Sequence, residues 1–215
     1  MTRKRPQMGF TLVEALVVFV IIAVIGGMAF PAVRRQIWRA KLLSRSEEMS
    51  VHMLLARMEA MKHGFPVVVA PDYDSETLVA FVDEDDDLTQ DPLERQVYAL
   101  GAGSSGHERI HFMGPNGVPG TAAAPAESVD GFTPVGGGSA LQVAVFEPDG
   151  SIRDIGAFRF ADDRGEPRNT LEVRVAPQST ARIEVRKYVY GGSCTGADAP
   201  TCFFPAGAGL WQWYL

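Results

Sequence analysis

The chain is poor in the residues that catalysis and metal chemistry draw on. Its 215 residues include only two cysteines and four histidines. The cysteines, Cys194 and Cys202, stand near the C-terminus with seven residues between them; alone they are too few to ligate a metal. No Gly-x-Ser-x-Gly and no phosphate loop occurs, so nothing marks a serine hydrolase or a P-loop enzyme. Positive charge is scarce too. From residue 63 onward, 10 Lys/Arg stand against 22 Asp/Glu, a balance of −12. Non-specific binding to nucleic acid depends on neutralising phosphates, and a field of that sign opposes it. Helix breakers are missing from one stretch: residues 37–62 contain no Gly and no Pro.

What the chain does have is concentrated at its start. Arg3, Lys4 and Arg5 precede Gly9-Phe10-Thr11-Leu12-Val13-Glu14, and an apolar run then continues to Phe30. A secretory leader places its cleavage site after the apolar core. Here the cut-like Gly9 comes before it, so cleavage there leaves the apolar segment on the mature protein. The hexapeptide and its basic leader resemble the signature of type IV prepilins and pseudopilins. The resemblance implies that a prepilin peptidase cuts the Gly9–Phe10 bond and methylates Phe10, and that Glu14 is the glutamate used in assembly. It also implies a single-pass protein of a bacterial inner membrane, with its leader in the cytoplasm and its head in the periplasm. Its partners are then inner-membrane lipid and other pilins or pseudopilins.

Residues 10–33 form a stretch of 24, enough for a bilayer core that needs about 20. A carboxylate there costs about 2.5–3.5 kcal/mol on insertion scales, so Glu14 calls for a partner, and the α-amino group freed at Phe10 is the nearest one. Pro31, preceded by Gly26 and Gly27, predicts a bend rather than a stop. Positive residues flank the segment on both sides (Arg34, Arg35, Arg39 and Lys41 follow it), so charge counting alone does not orient it. The helix is expected to continue through residues 34–63 as an amphipathic half. Val51, Leu54, Leu55, Met58 and Met61 recur at helical spacing as the expected core-facing stripe. Gly64 and Pro66 then end the helix. From residue 10 to 63 it spans roughly 80 Å, at about 1.5 Å per residue.

After Pro66 the texture changes to short strand-like runs between turns. Candidate strands are 67–70, 77–82, 95–100, 109–112, 141–146, 152–160, 171–175 and 182–190, and 114–138 reads as a long surface loop. Strands that follow each other closely favour antiparallel pairing. The expected fold is therefore α+β: a leader (1–9), a transmembrane and polymerisation helix (10–33), an amphipathic helix (34–63) and an antiparallel β head (64–215). Phe81-Val82-Asp83 with its following acids, and Val145-Phe146-x-Pro148-x-Gly150, are similar to minor pseudopilins of the H type and to FimT-like minor pilins. In an extracytoplasmic head Cys194 and Cys202 are expected to form a disulfide, worth about 2–3 kcal/mol on the loop-entropy model.

Three constellations invite a binding or catalytic reading. His107-Glu108-Arg109-Ile110-His111 matches H-E-x-x-H in letters, but that zinc motif needs a helix. Glycine-rich flanks leave no room for one, and in a strand residues four apart lie roughly 13 Å from each other. Asp83, Asp85, Asp87, Asp91 and Glu94 occupy positions 1, 3, 5, 9 and 12 of an EF-hand spacing. Position 6 is Leu88 rather than Gly, so a solvated hairpin turn is expected ahead of a weak calcium loop, and no cofactor is called for. Arg182-x-Glu184-x-Arg186-Lys187 is a basic patch; some FimT-like pilins bind DNA through such arginines, but alternating charge also describes the outer face of a strand. Trp211, Trp213 and Tyr214 are expected to pack on the sheet. The chain is thus expected to be a non-enzymatic filament subunit, a type II secretion pseudopilin in first place. A type IV minor pilin, or a membrane-anchored periplasmic binding protein that never polymerises, are the alternatives.

Overall fold

The computed structural model describes residues 12–74, 76–100, 110–121, 124, 127–137, 141–162, 170–188 and 203–205. The chain divides into two compact units, Met1–Ala40 and Lys41–Leu215. One helix, α1 (Leu12–His63), contributes to both and continues through Pro31 without a break. It ends where a left-handed residue is needed: Gly64 has φ 75°, and its N–H reaches the Ala60 carbonyl at 3.0 Å. Glycine takes that conformation without a Cβ penalty.

Among the described residues eleven strands follow: β1 (Val67–Asp72), β2 (Thr77–Val82), β3 (Gln96–Leu100), β4 (Ile110–Phe112), β5 (Val129–Asp130), β6 (Thr133–Pro134), β7 (Gln142–Phe146), β8 (Gly156–Asp162), β9 (Leu171–Val175), β10 (Ile183–Tyr188) and β11 (Phe203–Pro205). They form two sheets, β3-β2-β1-β7-β6 and β11-β10-β9-β8-β4, with β5 also pairing β8. Every pairing is antiparallel. The architecture is the expected α+β, with two sheets where one was expected. The 114–138 stretch is not simply a surface loop. It carries β5 and β6 and buries Ser128, Val129 and Phe132.

One core joins the head-side part of α1 to both sheets. Leu42, Met49, Met53, Ala56 and Ala60 meet Val67, Val69, Leu78 and Phe146 of the first sheet and Phe158, Leu171 and Val173 of the second. This overturns the expected helix orientation. Val51, Leu54, Leu55, Met58 and Met61 face outward, between 39 % and 54 % exposed, while Met53, Ala56 and Ala60 are fully buried. Both stripes recur at helical spacing. The buried one is narrower and uses alanines, which let the helix backbone approach the strands closely.

A smaller apolar cluster, Val68, Phe81, Val143 and Val145, lies on the opposite face of the first sheet, with Leu88 packed against it. The second sheet carries charge on its far face. Alternation puts Phe158, Leu171 and Val173 toward the helix, so Arg159, Glu172, Arg174 and Arg186 point the other way. Arg159 and Glu172 are wholly buried.

Candidate functional site

Three places bear on function: the exposed apolar helix, the acidic β2–β3 turn, and the charged face of the second sheet.

In the first unit, α1 shows apolar side chains on every side. Leu12, Val13, Leu16, Val17, Val18, Phe19, Ile21 and Ile22 are all between 45 % and 82 % exposed. Glu14 lies in the first turn, also exposed, where a carboxylate complements the partial positive charge of a helix N-terminus. Gly9 and Phe10, the expected cleavage and methylation positions, lie outside the described residues. Among the described residues no helix is long and apolar enough to cross a membrane.

The acidic turn is held by its own hydrogen bonds. Asp83 is buried, and its carboxylate accepts the N–H groups of Asp87 (3.2 Å) and Leu88 (3.1 Å). Burial pushes its pKa up, and those backbone donors oppose the rise. Leu88 adopts φ 66°, the left-handed turn an EF-hand assigns to glycine, and so reaches the small apolar cluster of the first sheet. The Thr89 hydroxyl and N–H both bond Asp87 at 2.7 Å and lower its pKa. Of the five acids in EF-hand spacing, Asp83, Asp85 and Asp87 bring carboxylate oxygens within 4.8 Å of one another. Asp91 and Glu94 do not join them. Instead Glu94 accepts the N–H of Glu84 at 3.1 Å and that of Asp91 at 3.0 Å.

The basic patch is largely committed within the chain. Just before β10, Arg182 pairs with Glu184 at 3.0 Å, and on the strand Arg186 reaches the buried Glu172 at 3.1 Å. Glu172 also receives Arg159 at 3.2 Å, while Arg159 bonds Asp130 at 2.8 Å and the Glu127 carbonyl at 3.2 Å. Burial raises the Glu172 pKa, and Arg159 opposes that shift most strongly. This buried network was not anticipated. Its signal was the alternation of Arg159, Glu172, Arg174 and Arg186 with apolar residues on three strands, where charged positions ordinarily mean a solvated face.

Of the two histidines in the zinc-like motif, His111 is the one among the described residues. His111 sits on β4, as the strand reading requires, and its Nδ1 bonds the carboxylate of Glu76 in the β1–β2 turn. His107 and Glu108 lie outside the described residues, as do Cys194, Cys202, Trp211, Trp213 and Tyr214.

Comparison with protein families finds the prokaryotic N-terminal methylation motif at residues 4–30. The chain carries a type IV pilin-like N-terminus. The match spans Lys4, Arg5, Gly9, Phe10, Glu14 and the apolar run through Phe30, and does not extend into the β head. No curated protein and no solved structure matches the chain.

Proposed function

We propose that this pilin-like chain is a non-enzymatic filament subunit, cut by a prepilin peptidase at Gly9–Phe10, methylated at Phe10, and held in the bacterial inner membrane by its N-terminal helix. The observation that carries the reading is the methylation motif at residues 4–30 running directly into a helix whose apolar side chains are exposed all round. Such a surface needs cover. Lipid supplies it before assembly, and the helices of other pilin-like subunits supply it afterwards. The 24 residues from Phe10 to Val33 are long enough in sequence to span a bilayer core.

Within this class we assign the chain to the minor pseudopilins of the H type, acting in type II protein secretion with its head in the periplasm. The head's charge balance of −12 and the ion pairing of Arg186 with the buried Glu172 favour this over a DNA-binding FimT-like pilin. Glu14 provides the test of the filament role. Its carboxylate recruits the freed α-amino group at Phe10 of a neighbouring subunit. Glu14→Ala should insert in membranes as the parent does but fail to co-purify with partner subunits. Unchanged co-assembly would refute the role. Deletion of the gene should abolish exoprotein secretion; loss of twitching or transformation with secretion intact would assign it to a type IV pilus instead.

A further inference from the structure

Two surface features of the Lys41–Leu215 unit match each other in shape and charge. The first is an apolar knob. Leu93 is 99 % exposed, more than any other large apolar residue described. It stands between Asp91 and Glu94, beyond the exposed acids Asp85, Asp86 and Asp87. The turn that presents it is fixed. Glu94 accepts the N–H groups of Asp91 (3.0 Å) and Glu84 (3.1 Å), and its own N–H bonds the Asp91 carbonyl at 3.1 Å. Leu93 is therefore displayed on a braced turn, and a pre-organised group loses little freedom when it docks.

The second feature is an open groove of about 350 Å³ between the outward stripe of α1 and the β9–β10 turn. Val51, Leu54, Ala181 and Ile183 make its apolar lining, and Arg57 and Arg182 are its cations. Arg57 is held in place by donating from Nε to the Gly150 carbonyl at 2.7 Å. The Arg182 side chain is 73 % exposed and keeps guanidinium donors beyond its Nε contact with Glu184. A groove with two arginines on a head of net negative charge is complementary to an apolar side chain with an acidic collar. Because Leu93 is almost fully exposed, it does not fill the groove of its own chain.

We propose that Leu93, with Asp91 and neighbouring acids, seats in the Val51–Leu54–Ile183 groove of a second copy of this chain. Knob and groove are different surfaces, so the contact is heterologous and joins one head to the next instead of closing a two-fold dimer. The proposal rests on the filament-subunit reading and adds a head-to-head contact that the helix alone does not provide.

The test uses the full-length chain in membranes of a strain that assembles it. A benzophenone amino acid replaces Leu93, and two differently tagged copies are expressed together. Irradiation should give a dimer bearing both tags, with the adduct mapped to residues 50–57 or 180–183. Leu54→Asp or Arg182→Glu in the acceptor copy should lower its yield about tenfold, equivalent to about 1.4 kcal/mol. Asp91→Arg in the donor should restore yield against Arg182→Glu. A parallel benzophenone at Val17 reports helix packing. An adduct elsewhere on the second copy, an adduct on a different protein, or no adduct while the Val17 probe still captures a subunit overturns the docking proposal alone. Failure of both probes overturns the filament reading with it.

Discussion

Met53 and Leu54 are neighbours on α1 with opposite fates, and the pair tests which stripe of the helix the head buries. Met53 is fully buried among both sheets, whereas Leu54 is 46 % exposed. Truncating a buried methionine removes its transfer energy and leaves a cavity, a cost of about 2–5 kcal/mol. Truncating an exposed residue is ordinarily within about 0.5 kcal/mol. For a chain of this size each kcal/mol moves Tm by roughly 2–4 °C. Met53→Ala should therefore lower Tm by about 5–15 °C, and Leu54→Ala by less than about 2 °C. The assay is thermal unfolding of the full chain in mild detergent, followed by near-ultraviolet circular dichroism, which reads aromatic packing in the head. A larger loss at Leu54 than at Met53, or equal losses, would refute the assigned helix face and return the Val51–Met61 stripe to the core.

Three other outcomes follow from the geometry. Arg159→Ala leaves Glu172 buried with one close cation fewer and should cost about 3–5 kcal/mol; the double change Arg159→Met with Glu172→Leu, which removes both charges, should cost less in the same melting experiment. Arg95 pairs with Glu59 at 2.9 Å and holds its pKa below the ordinary carboxylate value. A lowered folded pKa means that the pair's contribution is present above the ordinary value and is lost as pH falls through the lowered one. Arg95→Ala should raise the Glu59 pKa in an NMR titration and flatten that part of the stability profile; an unmoved pKa would contradict the pairing. The acidic turn, already braced by its own hydrogen bonds, should show no Tm shift on addition of millimolar calcium or of chelator, since a site filled tenfold over its Kd would add about 1.4 kcal/mol.

Much of the architecture was legible because its signals are local. The absence of breakers between residues 37 and 62 gave the helix its length, and Gly64 its end. Alternation placed β2 and β9 at their observed bounds. What escaped depends on contacts between distant segments. Two stripes of α1 have helical spacing, and only the close approach of the sheets selects the one with Ala56 and Ala60. The 114–138 stretch reads as loop by composition, yet β5 pairs β8 and Phe132 stacks on Phe158 with ring centres 4.7 Å apart. Arg159 and Glu172 look like solvated positions until β5 and the segment before it cover that face. At the functional end, the leader motif was legible as a pattern of residue types. The matched filament knob at Leu93 was not, because a lone leucine among acids carries no periodicity.

On the filament-subunit reading, the apolar N-terminal helix survives processing and serves as the assembly handle. Intact-mass and N-terminal peptide spectrometry of the protein purified from membranes tests it most directly. A processed filament subunit should give a mature chain that begins at Phe10 and carries one added methyl group. A chain that begins beyond residue 30, or one that keeps its first nine residues in the presence of an active prepilin peptidase, would contradict it.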